Sequence, residues 1–311
     1  MQLSETVKLY MTKEQKSLVV MTMNEYINTV NSLVSVATNG TSISKYTTAD
    51  VNASLPSALT NQCIRDAKSI VNKHNKDCRK ISARNKKLSK QKSNITIKDP
   101  AVPVLKKPCC YVNNQNFKIK DNHIEFPVLI NGKSKRISIR TSMTDNQKLI
   151  FANAKLGTMR IVCKGNKIVA QIIHKVAEPE YTEDDNVMGV DLGIKCPAVS
   201  YISDGSVKFY GNGRRNKYLR RHYKYLRRKL QKAKKPGTVA RINNKEQRIM
   251  KDIDHKISHD IVATAVAHHV SMIKLEQLSN IRSTTRTSRK NNYSLHTWTL
   301  YRLAQYIEYK A

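Results

Sequence analysis

Asp191 and Glu276 are the residues of this 311-residue chain whose surroundings best suit them to chemistry. Each closes an apolar, strand-like run: Met188-Gly189-Val190 leads into Asp191-Leu192-Gly193, and Ile273-Lys274-Leu275 leads into Glu276. A carboxylate set in an apolar strand is costly unless its charge is paired, solvated or bound to a cation. Two such acids therefore point to a shared cation site. Two-metal hydrolysis of a phosphodiester uses carboxylates to hold divalent ions about 3.5–4 Å apart, one activating water and the other stabilising the leaving oxygen. The plainer alternative is that Asp191 caps a turn before Gly193 and Glu276 caps the loop after it. Two carboxylates are a thin cage for two magnesium ions, and the chain stops at Ala311, only 35 residues beyond Glu276.

Basic segments around these acids indicate what such a cation would act on. The chain holds 56 Lys and Arg against 23 Asp and Glu, a formal charge of +33, which points to a polyanionic partner. Residues 211–250 carry fifteen Lys and Arg against one acid, Glu246, with Tyr218, Tyr223 and Tyr225 interleaved. A merely solvated helix would mix signs to gain i,i+4 pairs. The candidate contacts there are Arg214, Arg215, Lys217, Arg220, Arg221, Lys224, Arg227 and Arg228, with tyrosines available for stacking. Tyr223 is the exception, because its spacing fits the apolar face. A second run holds Lys73, Lys76, Arg79, Lys80 and Arg84, opposed only by Asp77. A third, from Arg282 to Lys290, offers Arg286, Arg289 and Lys290 as phosphate contacts.

Other patterns are weaker. His255 and His259 stand at a metal-ligand spacing but lack the Glu of H-E-x-x-H and an evident third ligand, and they read as ordinary surface or core histidines. Gly211-Asn212-Gly213 reads as a turn. None of the six cysteines is at C-x-x-C spacing, so no zinc ribbon is expected, and they read as small buried hydrophobes. No run of about 18 apolar residues and no signal pattern is present, which favours a cytoplasmic, nucleoid-associated protein over a membrane or secreted one.

The elements that must position these residues fall into three blocks. Residues 3–10 read as a strand. Helices follow over 12–36, opened by the capping box Thr12-Lys13-Glu14-Gln15, and over about 49–92. From 95 to 176 the alternation is that of short strands with turns at Asn131-Gly132 and Gly165-Asn166, an antiparallel barrel or sandwich that the first strand would join. The polar stretch 178–185 is the expected boundary. Beyond it come a strand at 187–191, a hairpin with arms Ala198–Ile202 and Val207–Tyr210, two helices with Leu219, Tyr223, Leu226, Leu230 and then Ile242, Ile249, Ile253, Ile257, Ile261 on their inner faces, a strand at 270–276 and a final helix over 295–310. That is the order of an RNase H-like fold.

The chain resembles the TnpB family of transposon-associated RNA-guided nucleases, relatives of type V CRISPR effectors. The resemblance rests on Val7-Lys8-Leu9-Tyr10 with Thr12 and Glu14-Gln15, on the segment from Asn113 to Ile119, and on Gly189-Val190-Asp191-Leu192-Gly193-Ile194. Ile273-Lys274-Leu275-Glu276 and Arg286-Thr287-Ser288-Arg289-Lys290 with Trp298 and Tyr309-Lys310-Ala311 complete it. It implies an α+β multidomain chain: a wedge β-barrel (1–10 and 95–178), an inserted helical recognition lobe (11–94) and a RuvC-like α/β domain lacking its last elements (186–311). It also implies a guide RNA from the transposon end or an adjacent transcript, a double-stranded DNA target with a short flanking motif, and magnesium at Asp191 and Glu276; a monomer is the favoured state. In the family the chain continues past the equivalent of Ala311 into a zinc ribbon and a last Asp. The expectation is therefore an RNA-guided DNA-binding protein, cleavage-deficient and repressing transcription by occupancy. An RNA-guided endonuclease and a general basic RNA-binding protein are the alternatives.

Overall fold

The computed structural model describes residues 1–91, 95–177, 186–242, 244–278, 281 and 288–311. The chain forms two compact units, Met1–Glu178 and Pro179–Ala311. The expected boundary stretch 178–185 lies outside the described residues.

In the first unit a seven-stranded antiparallel sheet runs in the order β2-β6-β7-β1-β5-β4-β3. Its strands are β1 (Gln2–Tyr10), β2 (Cys109–Val112), β3 (Lys118–Lys120), β4 (His123–Ile130), β5 (Lys133–Ser142), β6 (Leu156–Lys164) and β7 (Lys167–Lys175). β1 sits at the centre, pairing with β7 along one edge and with the end of β5 along the other. β2 and β3 end the order, and the strands form a curled sheet. The β4–β5 turn places Asn131 and Gly132 both at positive φ, 51° and 73°, as a tight hairpin of right-handed twist needs. Helix α3 (Asp145–Asn153) and strand β2 are absent from the alternation pattern read above. The signal for α3 was a capping box, with Thr144 Oγ1 accepting from Gln147 N at 3.2 Å.

Helices α1 (Lys13–Thr38) and α2 (Ser57–Lys90) intervene between β1 and β2. The α1 face of Val19, Met23, Tyr26 and Val30 is fully buried in one core with Val7, Ile124, Ile139, Met159 and Ile172 of the sheet. α2 begins later than its periodicity suggests, because residues 48–50 form a separate 3-10 turn. Leu59, Thr60, Cys63, Ile64 and Ala67 are its buried residues, all in the first third. Its remaining turns therefore project a basic surface. The extended chain after α2 is tied down by asparagines acting as backbone surrogates: Asn85 exchanges two hydrogen bonds with Ile97, at 2.8 and 2.9 Å, and Asn31 does the same with Leu105.

The second unit holds a four-stranded sheet in the order β10-β9-β8-β11. It comprises β8 (Asn186–Asp191), β9 (Ala198–Ile202), β10 (Val207–Tyr210) and β11 (Val270–Leu275), with only β8 and β11 parallel. Between β10 and β11 lie α4 (Gly213–Lys232), α5 (Pro236–Ile242) and α6 (Lys245–Ala267). Ile242 thus belongs to a separate short helix and not to the stripe of α6. α7 (Arg289–Thr297) and α8 (Leu300–Glu308) replace the single final helix expected over 295–310. The break at Trp298-Thr299 frees Thr299 Oγ1 to donate to Asp254 Oδ1 at 3.1 Å. Arg302 on α8 completes the pair: its Nε donates to Asp254 Oδ2 at 2.8 Å and its Nη2 lies 2.6 Å from the same oxygen. Burial pushes the Asp254 carboxyl above its ordinary value, and Arg302 opposes that shift. Met188, Ile202, Ile257, Ile261, Leu303 and Ile307 form the core beneath the sheet. No helix among the described residues is long and apolar enough to cross a membrane.

Asp254 is 2% exposed, whereas the Arg302 side chain keeps 30% access to water. Asp254→Ala should therefore lower the unfolding free energy toward the smaller end of the roughly 3–5 kcal/mol for breaking a buried pair, measured by chemical denaturation.

Candidate functional site

β8 and β11 are in register with Met188 opposite Ile273 and Val190 opposite Leu275. One residue further along both strands, Asp191 and Glu276 come side by side. Met188, Val190, Ile273 and Leu275 all face the core, so the two-residue alternation of a strand turns both acids to the other face of the sheet. Both are exposed, and they line one open concavity with Gly189, Val199, Tyr201 and Lys274. The premise that these acids are costly because they are enclosed in apolar strands is corrected here: they stand at strand ends and water solvates them.

Two neighbouring carboxylates fit the protein's share of a magnesium site, since that ion commonly takes one or two carboxylates and completes its shell with water and substrate phosphate. Among the described residues, no group of three or more His, Cys, Asp or Glu could hold a metal ion. Asp191 also lines a second concavity, with Lys195, Lys217, Asn291, Ser294 and Trp298. Close backbone packing shapes it. A Cβ on Gly193 would come 2.6 Å from the Cys196 carbonyl oxygen, and one on Gly213 would collide with the carbonyls of Ile194 and Lys195. The loop after Asp191 can therefore lie against the first turn of α4, where Gly213 N donates to Lys195 O at 3.1 Å. Lys195 and Lys274 went unremarked in the sequence, although Lys274 shares the outward parity of Glu276 on β11.

The basic residues of α4 divide by face. Glu246, the single acid of residues 211–250, is buried on α6 and accepts from Arg227 Nη2 at 2.6 Å, with Arg220 Nη1 at 3.5 Å. Those two arginines neutralise an internal charge rather than facing solvent freely. Burial pulls the Arg220 guanidinium below its ordinary value, opposed by Glu246. Tyr223 is buried, as its spacing on the apolar face indicated. Lys224 Nζ sits 3.8 Å from the Tyr293 ring centroid. Arg214, Arg215, Arg221 and Arg228 are exposed, and Lys217 is half-buried. In the first unit Lys73, Lys76, Arg79, Lys80 and Arg84 are all exposed on the projecting part of α2, with Asp77 3.7 Å from Lys80. Arg286 and the side chains of Arg289 and Lys290 lie outside the described residues.

The remaining candidates take structural places. His255 stacks on Tyr306 at 4.0 Å between centroids, and His259 is exposed. Gly211 turns at φ 77°, and Asn212 caps α4 by accepting from Arg215 N at 3.1 Å. Cys63 and Cys110 are buried, which pushes their thiols well above the ordinary value.

Residues 169–282 match the family model OrfB_IS605, described as a probable transposase. The TnpB-like protein MJ0751 of Methanocaldococcus jannaschii is 28% identical over 210 residues, covering 63% of this chain and 72% of that protein. Among solved structures, the cryo-EM structure of the Cas12f1-sgRNA-target DNA complex aligns with a TM-score of 0.62 at 13% identity, over 95% of this chain and 71% of the Cas12f1 chain. At that identity the likeness is one of fold.

Exposed and internally paired arginines should behave differently in one experiment. Arg228→Gln should reduce the slope of log affinity for nucleic acid against log salt by about one and leave the thermal midpoint unchanged. Arg227→Gln, which strands part of the Glu246 charge, should lower the midpoint.

Proposed function

We propose, on the premise that this chain belongs to the TnpB family of RNA-guided nucleases, that it binds a guide RNA and a matching DNA target and acts by occupying that target. The observation that carries this reading is the imbalance of the second unit. α4 has ten Lys and Arg and no acid, whereas the candidate metal face has two carboxylates among the described residues. The Cas12f1 structure that shares the fold is a complex with an sgRNA and target DNA, which supports the same two partners here. Affinity in such systems comes from guide pairing and backbone contacts, neither of which requires cutting.

The inserted position of α1 and α2 supports their assignment, with residues 11–94, to a helical recognition lobe within a wedge-like β-domain of residues 1–10 and 95–178. The order β10-β9-β8-β11, parallel only between β8 and β11, supports a RuvC-like reading of 186–311. Magnesium would be held by Asp191 and Glu276. When bound it would polarise a phosphodiester and activate water. In the occupancy reading cleavage is weak or lost, and the DNA-bound protein acts as a transcriptional repressor.

A second reading, an RNA-guided endonuclease, is favoured by the adjacency and exposure of Asp191 and Glu276. One assay separates the two. Purified protein with its co-purifying RNA, matched duplex and magnesium should show guide-dependent binding that falls steeply between low and moderate salt, without double-strand breaks. Magnesium-dependent breaks abolished by Asp191→Ala would replace occupancy with cleavage.

A further inference from the structure

We infer that the cleft between α6 and the α7–α8 elbow is a binding site for a free nucleoside triphosphate, held by its phosphate chain. This goes beyond the proposed function and uses neither the strand-end acids nor a nucleic-acid partner. Asn244, Arg248 and Lys251 of α6 line the cleft together with Thr299, Tyr301 and Arg302 of the elbow. Its volume is about 670 Å³, within the roughly 300–1,000 Å³ usual for small-ligand sites.

The lining is basic, and no carboxylate stands among its described residues. Arg302 and Arg220, which also lines the cleft, are answered by the buried acids Asp254 and Glu246. Arg248 and Lys251 are exposed and stand three residues apart, as neighbours on one helix face. Asp252, the acid next to them in sequence, is taken by Lys256 at 2.9 Å. The cleft is therefore left with an excess of positive charge.

Two helices also begin there. Asn244 and Thr299 are the N-cap residues of α6 and α8, both line the cleft, and neither side chain caps its helix. The Thr299 hydroxyl is turned to Asp254 instead. The positive ends of two helix dipoles thus add to the side-chain cations on the same cavity.

A phosphate chain suits this set, because hydrogen bonds from Arg and Lys to phosphate oxygens are charge-assisted and strong. Directly linked phosphates bring several charges within the span of one helical turn, whereas a nucleic-acid strand brings one per nucleotide. Tyr301, 69% exposed in the first turn of α8, offers the ring on which a base stacks. A nucleoside triphosphate supplies both parts in one molecule.

Trp298 lines the cleft and is the single tryptophan of the chain, so its emission reports filling. Full-length protein freed of nucleic acid is titrated with ATP in the presence of EDTA and followed by calorimetry and Trp298 fluorescence. ATP should saturate one site, change the emission and raise the thermal midpoint. Arg248→Gln and Lys251→Gln should each weaken ATP about tenfold and leave the midpoint of the ligand-free protein unchanged. Tyr301→Leu should weaken ATP about fivefold while inorganic triphosphate binds as before. The absence of saturable ATP binding overturns the site, as does an unaltered affinity in the Arg248→Gln, Lys251→Gln double variant. Inorganic triphosphate that binds as tightly as ATP, with no effect of Tyr301→Leu on either, overturns the nucleoside assignment. Displacement of ATP by a short oligonucleotide at concentrations below that of ATP makes the cleft a nucleic-acid contact and overturns the proposal.

Discussion

The parallel pairing of β8 with β11 is the constraint on which the second unit depends. Parallel neighbours cannot be joined by a tight turn, so the chain between Asp191 and Val270 must cross over the sheet and return. The hairpin of β9 and β10 and the helices α4 to α6 occupy that crossover, and the inner face of α6 covers the sheet with Ile257 and Ile261. Because both strands run the same way, their C-terminal ends coincide. Asp191 and Glu276, 85 residues apart in sequence, meet for that reason.

Charge is the second organising constraint. A chain of net charge +33 repels itself, and internal neutralisation of some cations eases the packing of its basic helices. Two buried acids serve this in the second unit. Glu246 takes up Arg227 and Arg220 between α4 and α6, and Asp254 takes up Arg302 between α6 and α8. Both acids lie on α6, which thus acts as the counter-charged strut of a basic unit. The cations left over are those that face water, and they define the surface available to a polyanion. In the first unit the separation is made by length: α2 outruns the core after Val71, and all of its basic residues except Arg65 and Lys68 lie beyond that point.

Much of the fold was legible in the sequence because local signals agreed with the final packing. The arms Ala198–Ile202 and Val207–Tyr210 coincide with β9 and β10, and the Thr12 capping box does open α1. The misses have physical causes. α3 is short, with a single buried residue, Phe151, so it has almost no apolar stripe to read. The break between α7 and α8 coincides with a tertiary bond from Thr299 to Asp254, which no local pattern encodes. Basic residues could be counted from the sequence but not sorted, since the partner that occupies Arg220 and Arg227 lies on another helix.

The sequence by itself determined that this chain carries an excess of cations, that two acids close two apolar strand runs, and that its motifs resemble those of the TnpB family. These follow from residue type and short-range order. Tertiary structure alone decided that the acids share one solvated face, because register and strand direction are properties of pairing. It also decided which arginines face inward and which outward, and that Lys217 belongs to the concavity holding Asp191. Those are facts about neighbours distant in the chain, and folding brings such neighbours together through constraints that composition and periodicity do not contain.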